Sequence, residues 1–397
     1  MIASQIRLLI ADEIPIAGGV ETIRRHLVPV LRKKCEAVVL AVPGNRLAEI
    51  KHLDWCRGVT VETLAPQRWT NSRAAGAVLR RLPFRKLKKA TQRIILATQT
   101  ERLRELKTKH AVTHVLAPCI WSQPVPRLDV PSAGILCDLY PGLPADLRAN
   151  MARWIEEADC VFAISEFTAK MALANNVNRQ SKIQRLPLAA SLCVSQPRFQ
   201  APDVPFFFYP ATALERKDHF TLFRAFAALQ EKHPTAKLTL CGAGTEQYSS
   251  RECLANPALE EARMLLHDSG LLAQKKVEIL GQTDWSSVEA IYRRSPCVVL
   301  PSRFEGFGLP LAEAFAYGLP VICSRIEPFI EQVELYQMGD MVRFFAPGDW
   351  RALAGLMADY ASQKWHPQLP DSDLRQRLSR WTWDDIADRV LAKLASL

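Results

Sequence analysis

Short apolar runs alternate with helix-length amphipathic stretches along most of this 397-residue chain, and that alternation restricts its fold more than any other feature. In the first half the runs fall at 6–11, 37–42, 59–62, 112–117, 133–137 and 160–164, with helical patterns at 20–34, 146–157 and 165–175. Ser165 stands where an N-cap would begin the last of these helices. The second half repeats the design, with strands expected at 206–209, 237–241, 277–280, 297–300 and 321–323. Its helices are expected at 218–232, 258–268, 285–294, 310–317 and 349–360. Strands separated by helices predict an α/β protein with parallel sheets covered on both faces. Such sheets bind ligands at the carboxyl ends of their strands.

At about 100–200 residues per domain, this length suits two ordinary domains or one large barrel. The proline-rich, aperiodic segment 189–205 favours two. The expected division is a first Rossmann-like domain over 1–190, a linker over 191–205, a second such domain over 206–380 and a C-terminal helix in 381–397. Residues 362–373 read as a second irregular stretch.

Hydrophobic residues make up 48% of the chain and charged ones 23%, a globular composition. The longest apolar runs are strand-length, far short of the roughly 18 residues of a membrane span. The N-terminal run has neither a cationic lead-in nor a small-residue cleavage site, so no signal peptide is expected. Ten cysteines are scattered without a C-x-x-C pair, which argues against a zinc site or disulfide framework and for a reducing cytoplasm. The net charge of +10 is uneven. Residues 1–200 hold 30 Lys and Arg against 16 Asp and Glu, and the remainder 21 against 25. Residues 67–109 alone carry 13 basic and 2 acidic residues. Within that tract Leu87, Ala90, Ile94 and Ala97 fall at helical spacing among seven cations, a pattern that suits either an amphipathic helix on anionic lipid or a solvated basic helix.

The segment Leu300-Pro-Ser-Arg-Phe-Glu-Gly-Phe-Gly-Leu-Pro-Leu-Ala-Glu-Ala-Phe-Ala-Tyr-Gly-Leu-Pro320 carries the strongest chemistry. A buried strand ends at Leu300, a glycine-containing loop follows, and Pro310 stands near the first position of a helix. Glycines let backbone approach a ligand closely, and the first amides of a helix favour a phosphate. Glu305 in the loop and Glu313 on the helix are spaced to flank one ligand and accept hydrogen bonds from sugar or ribose hydroxyls.

This segment resembles the signature of the retaining glycosyltransferases of family 4, P-S-x-x-E-G-F-G-L-P-x-x-E-A-x-A-x-G-x-P-V. The matching residues run from Pro301 and Ser302 through Glu305, Gly306, Phe307, Gly308, Leu309, Pro310 and Glu313 to Val321. The resemblance implies the GT-B fold, two Rossmann-like domains facing across a cleft, with the acceptor on the first domain, the nucleotide-sugar on the second, and the last helix returning to the first. It implies that Glu305 contacts donor-sugar hydroxyls, that Glu313 binds the ribose, and that the Phe307–Leu309 backbone binds phosphate and sugar. Arg216 and Lys217 are similar to the family's cationic pair on the donor diphosphate, where they would offset charge on the leaving group. Many relatives have Gly-Arg several residues earlier, where this chain has Ala211-Thr212. Gly18 and Gly19 resemble the family's N-terminal glycine loop. Gly281-Gln282-Thr283-Asp284 corresponds to the base-side loop, and Gly242-Ala-Gly244 is a further strand-end loop. Cys137-Asp138-Leu-Tyr-Pro resembles H-D-L-x-P, so Asp138 matches while Cys137 replaces a histidine whose neutral-pH chemistry a thiol does not supply. Asp371-Ser-Asp373 spells a metal motif of other glycosyltransferases, but capping of a late helix is the better reading here.

The expectation is therefore a retaining, metal-independent hexosyltransferase with no cofactor, active in surface polysaccharide or glycolipid synthesis. The donor expected is GDP-mannose, with a UDP-hexose as the alternative, and the acceptor a glycan or lipid-linked sugar. Its place is the cytoplasm, peripheral to the inner face of the plasma membrane if residues 69–109 bind anionic lipid. The basic tract lacks a nucleic-acid recognition motif or aromatic interleaving, so no nucleic acid is expected. A catalytically idle sugar- or polyanion-binding protein is the reading from another class.

Overall fold

A computed structural model describes residues 5–12, 19–64, 85–121, 124–140, 142–174, 182–190, 204–294 and 296–397, with the backbone alone for 85–97. The chain packs as two compact units, Met1–Leu188 with Trp383–Leu397, and Ala189–Thr382. It therefore leaves the first unit once, after Leu188, and returns once, at Trp383. Residues 191–203 of the expected linker lie outside the described residues.

In the first unit, β1 (Arg7–Ala11), β2 (Ala37–Val42), β3 (Thr60–Thr63), β4 (His114–Ala117), β5 (Ser132–Leu136), β6 (Cys160–Ala163) and β7 (Ile183–Arg185) form one sheet in the order β3-β2-β1-β4-β5-β6-β7. Every pair is parallel; Leu9 faces Val39 on one side and Val115 on the other. The apolar runs that become central strands are buried along their length because helices cover both faces. Helix Gly19–Lys34 buries Val20, Ile23, Leu27 and Leu31, the i, i+3, i+4 spacing of one helical face. The C-terminal helix Trp383–Ala395 packs on it: His26 stacks on Trp383 with centroids 5.2 Å apart, and Lys34 Nζ lies 2.7 Å from Asp388. Ser165 caps helix Glu166–Ala174, accepting from the Thr168 N–H at 3.0 Å.

The second unit repeats the scheme with β8 (Phe206–Pro210), β9 (Lys237–Cys241), β10 (Val277–Ile279), β11 (Cys297–Leu300), β12 (Val321–Ser324) and β13 (Val342–Phe345), ordered β10-β9-β8-β11-β12-β13 and again all parallel. In both sheets the strand order reverses beside the first strand, between β1 and β4 and between β8 and β11. Loops diverge at such a point and leave a crevice at the carboxyl ends of the strands.

Several elements lie in stretches to which the sequence pattern assigns no range. β7 and β13 are edge strands with an exposed Arg185 and Arg343, so neither shows an unbroken apolar run. Helix Glu327–Tyr336 opens with Pro328, which suits the first turn of a helix because its missing N–H has no partner there anyway. Helix Asp371–Leu378 occupies part of the stretch read as irregular. It also corrects the capping role given to Asp371: the N-cap position is Pro370, and no side chain caps the helix. Asp371 and Asp373 stand in the first turn, where negative charge suits the helix dipole. Nine cysteines fall among the described residues, all free thiols, and eight are buried. Among the described residues no helix is long and apolar enough to cross a membrane.

Candidate functional site

The second unit's site grows from the two strands at its switch point. β8 ends in a Pro-Ala-Thr-Ala-Leu turn that leads into a short 3₁₀ turn, Glu215–Lys217, and then helix His219–Gln230. Asp218 caps that helix from a left-handed conformation, φ 51°, accepting from the Thr221 N–H at 3.3 Å and from Thr221 Oγ1 at 2.8 Å. Arg303, from the loop after β11, donates to the same carboxylate at 2.7 Å, and its own N–H bonds the Arg216 carbonyl at 2.8 Å. Tyr209 at the end of β8 donates to the Lys217 carbonyl at 2.5 Å. Arg216 and Lys217 are thus fixed by backbone contacts as well as by their side chains.

These contacts bring both cations onto one carboxylate. Glu305 Oε1 accepts from Lys217 Nζ at 2.5 Å and from Ser302 Oγ at 2.7 Å, while Oε2 accepts from Arg216 at 3.3 Å. Glu305 is only 6% exposed and Lys217 9%, so the pair sits in a low-dielectric setting. Burial alone would push the Glu305 carboxyl up, but the charges of Lys217 and Arg216 outweigh it and hold the group below the usual glutamate range. Two cations on one carboxylate leave a net charge of +1, fixed in position before any anionic ligand arrives. Electrostatic stabilisation of a leaving anion requires such preorganisation.

The loop after Glu305 is locked from behind. Gly308 has φ +92°, and a Cβ there would lie 2.3 Å from the Phe329 ring, so both conformation and space call for glycine. The buried Gln332 amide donates to the Phe307 carbonyl at 2.5 Å and to the Gly308 carbonyl at 3.3 Å. Helix Leu309–Ala316 starts immediately afterwards with Pro310 in its first turn. Gly306, Phe307, Gly308 and Leu309 are all buried. Glu313, four residues into the helix, is half-buried and accepts from Tyr292 Oη at 2.9 Å.

The other expected site residues divide by place. Gln282 is exposed and Thr283 half-buried, just before helix Trp285–Arg293, which Asp284 caps by accepting from the Ser287 N–H at 3.0 Å. Gly242 has its own structural reason: a Cβ there would meet the Ala211 carbonyl oxygen at 2.3 Å. Gly19 opens the first unit's helix after β1, and Gly18 lies outside the described residues. Asp138 and Cys137 are buried beyond the end of β5. A hydrogen bond with Cys119, together with burial, pushes the Cys137 thiol well above the usual thiol range, so it stays neutral. Residues 69–84 of the basic tract, and the side chains of 85–97, lie outside the described residues. Farther along helix Arg85–His110, three of the described cations are engaged: Arg102 and Lys109 bind Glu62 at 3.2 and 2.6 Å, and Lys107 binds Asp129.

The sequence reading gave no role to Ser302, Tyr292 or Gln332. Ser302 stood within the quoted signature and Tyr292 on an expected helix. Gln332 belongs to the helix that was not anticipated, where its one signal is a polar residue on the apolar stripe of Phe329, Val333 and Tyr336.

Residues 195–380 match the family model described as "Glycosyl transferases group 1". The match spans nearly all of the second unit, Ala189–Thr382. Over 164 residues, 41% of this chain, the sequence is 30% identical to a glycogen synthase of Mycobacterium tuberculosis. The chain spans 36% of that relative's length, so the likeness is one of a part. The whole chain is similar in structure to a sucrose-phosphate synthase from Thermosynechococcus elongatus, with a TM-score of 0.71, 17% identity and 98% of each chain covered. It is also similar to Anabaena HepE solved in complex with UDP and glucose, with a TM-score of 0.71, 16% identity, and 99% of this chain and 100% of that one covered. These likenesses show that the second unit and the first together have the GT-B fold.

Proposed function

We propose that the chain is a retaining glycosyltransferase that moves a hexose from a nucleoside-diphosphate sugar to a glycan or lipid-linked acceptor. The observation that carries this proposal is the Lys217–Glu305–Arg216 cluster at the switch point of β8 and β11, beside the helix start at Leu309. Arg216 and Lys217 hold the donor diphosphate and stabilise it as it leaves. Glu305 orients both cations and the donor sugar, and the backbone from Gly306 to Leu309 takes phosphate and sugar. Glu313 and the Gln282–Thr283 loop bind the nucleoside. The donor phosphate accepts the proton of the attacking hydroxyl, which gives front-side attack and retention. Cys137, buried and neutral, supplies none of the chemistry of the histidine it replaces. No metal takes part, so activity in excess chelator should equal activity without it.

GDP-mannose is the donor we favour, with a UDP-hexose as the second reading. The test is a thermal-shift panel of GDP-mannose, UDP-glucose and UDP-galactose, because a ligand of the folded state raises its melting temperature. A shift with one donor class, lost in Lys217→Met, is the expected result. A panel without any shift would sink the proposal. The first unit takes the acceptor, and residues 69–109 favour one at an anionic membrane surface in the cytoplasm. Sedimentation with anionic vesicles at low salt, and none with neutral vesicles, is the outcome this requires.

A further inference from the structure

Helix Glu327–Tyr336 buries Phe329, Gln332 and Tyr336, spaced three and four residues apart and so on one side of the helix. The first two hold the site loop: the Phe329 ring lies under Gly308, and the Gln332 amide bonds the Phe307 and Gly308 carbonyls. The third reaches elsewhere. The Tyr336 hydroxyl accepts from the Ala190 N–H at 2.9 Å and donates to the Trp381 carbonyl at 3.1 Å. Ala190 stands two residues past Leu188, where the chain leaves the first unit, and Trp381 stands two residues before Trp383, where it returns. One fully buried hydroxyl therefore uses its acceptor role on one crossing and its donor role on the other. The Tyr336 ring also packs edge-on against Phe315, centroids 6.3 Å apart, on the helix that follows the site loop.

We infer that this helix couples occupancy of the Phe307–Leu309 loop to both chain crossings, with Tyr336 as the pin that fixes the two together. The coupling rests on the proposed donor site, since the ligand that would order the loop is a nucleoside diphosphate. The pin itself does not depend on that proposal. A ligand that favours one arrangement of the loop favours one arrangement of Phe329 and Gln332. A short helix packed along this one side passes that preference to Tyr336, seven residues beyond Phe329. Linkage makes the effect reciprocal: loosening the crossings weakens nucleotide binding by the factor by which nucleotide tightens them.

Hydrogen exchange followed by mass spectrometry on the full chain tests both parts, using wild type and Tyr336→Phe, each with and without GDP and UDP. Tyr336→Phe keeps the ring and removes both hydrogen bonds. Without nucleotide it should speed exchange around Ala190 and around Trp381 together, by about three- to tenfold. In wild type, the nucleotide that raises the melting temperature should slow exchange at both crossings. In Tyr336→Phe the same nucleotide should still protect 305–313 but no longer the crossings. Unchanged exchange at either crossing in the ligand-free variant would overturn the pin. A nucleotide that binds and protects 305–313 in wild type while leaving the crossings untouched would overturn the coupling. Binding of neither nucleotide would instead remove the donor site and the coupling with it, leaving the ligand-free comparison to decide the pin.

Discussion

Lys217 Nζ lies 2.5 Å from Glu305 Oε1, although the two residues are 88 positions apart in the chain. Strands β8 and β11 are neighbours in the second sheet, and each residue sits in the loop beyond the carboxyl end of its own strand. The pair is therefore a product of the strand order, and it draws Arg216 and Ser302 onto the same carboxylate.

Breaking this cluster should cost stability and activity together. Glu305→Ala leaves Lys217 buried without its anion, a change that destabilises by about 3–5 kcal/mol where a buried pair is broken. Glu305→Gln keeps the shape and should cost less. Both should lower transfer at least about 100-fold, the scale of losing one preorganised electrostatic group. Urea unfolding and initial-rate assays on the two variants separate the effects.

Removing one cation should act on the donor. Arg216 is at 3.3 Å from Glu305 and Lys217 at 2.5 Å, so Lys217 is the more tightly integrated of the two. Arg216→Met should therefore weaken nucleotide binding by about tenfold with little change in melting temperature, since a charge-assisted contact is worth about 1.5–3 kcal/mol. Lys217→Met should lower both. Calorimetric titration with the nucleoside diphosphate, beside thermal unfolding, gives the comparison.

Gly308→Ala should be among the most damaging single-methyl additions in the second unit. The backbone at φ +92° disfavours any side chain, and the added carbon would meet the Phe329 ring at 2.3 Å. Left-handed strain of about 1–2 kcal/mol adds to the displacement of that ring. Lower melting temperature and loss of nucleotide binding are expected together. In a double-mutant cycle, Phe329→Ala should cost less in the Gly308→Ala background than in wild type, because the clash leaves with the ring.

Acid should destabilise the second unit through His219. Burial, and then the nearby Lys217 charge, lower its pKa from 6.5 to about 3, and its ring packs among Tyr209, Phe223 and Tyr248. The unfolded chain takes up this proton first, so the loss begins as pH falls below 6.5 and grows until about pH 3. At pH 5 the cost is about 2 kcal/mol. His219→Phe should flatten that part of the pH–stability curve, read by urea unfolding between pH 7 and 5.

The sequence showed the parts of the fold and site that are written in local patterns. Central strands such as 37–42 and 297–300 were legible because burial on both faces makes them continuous apolar runs. Glu305, Arg216 and Lys217 were legible as motifs, and helix capping by Ser165 follows from a side chain three residues from the amide it holds. The edge strands β7 and β13 were not, because half their surface faces solvent. The mutual pairing of Glu305 with both cations, the Gln332 bonds to the site loop and the two bonds of Tyr336 span from 24 to 146 residues. No local pattern records contacts of that length; they exist only once the strand order is known.

Release of nucleoside diphosphate from GDP-mannose and from UDP-glucose, measured for wild type and Glu305→Gln under identical conditions, tests the central claim most directly. Release from one donor class by wild type, reduced at least about 100-fold in the variant, is the expected result. Release at equal rates by both proteins, or by neither from either donor, would contradict the assignment of the Lys217–Glu305–Arg216 cluster as the donor site.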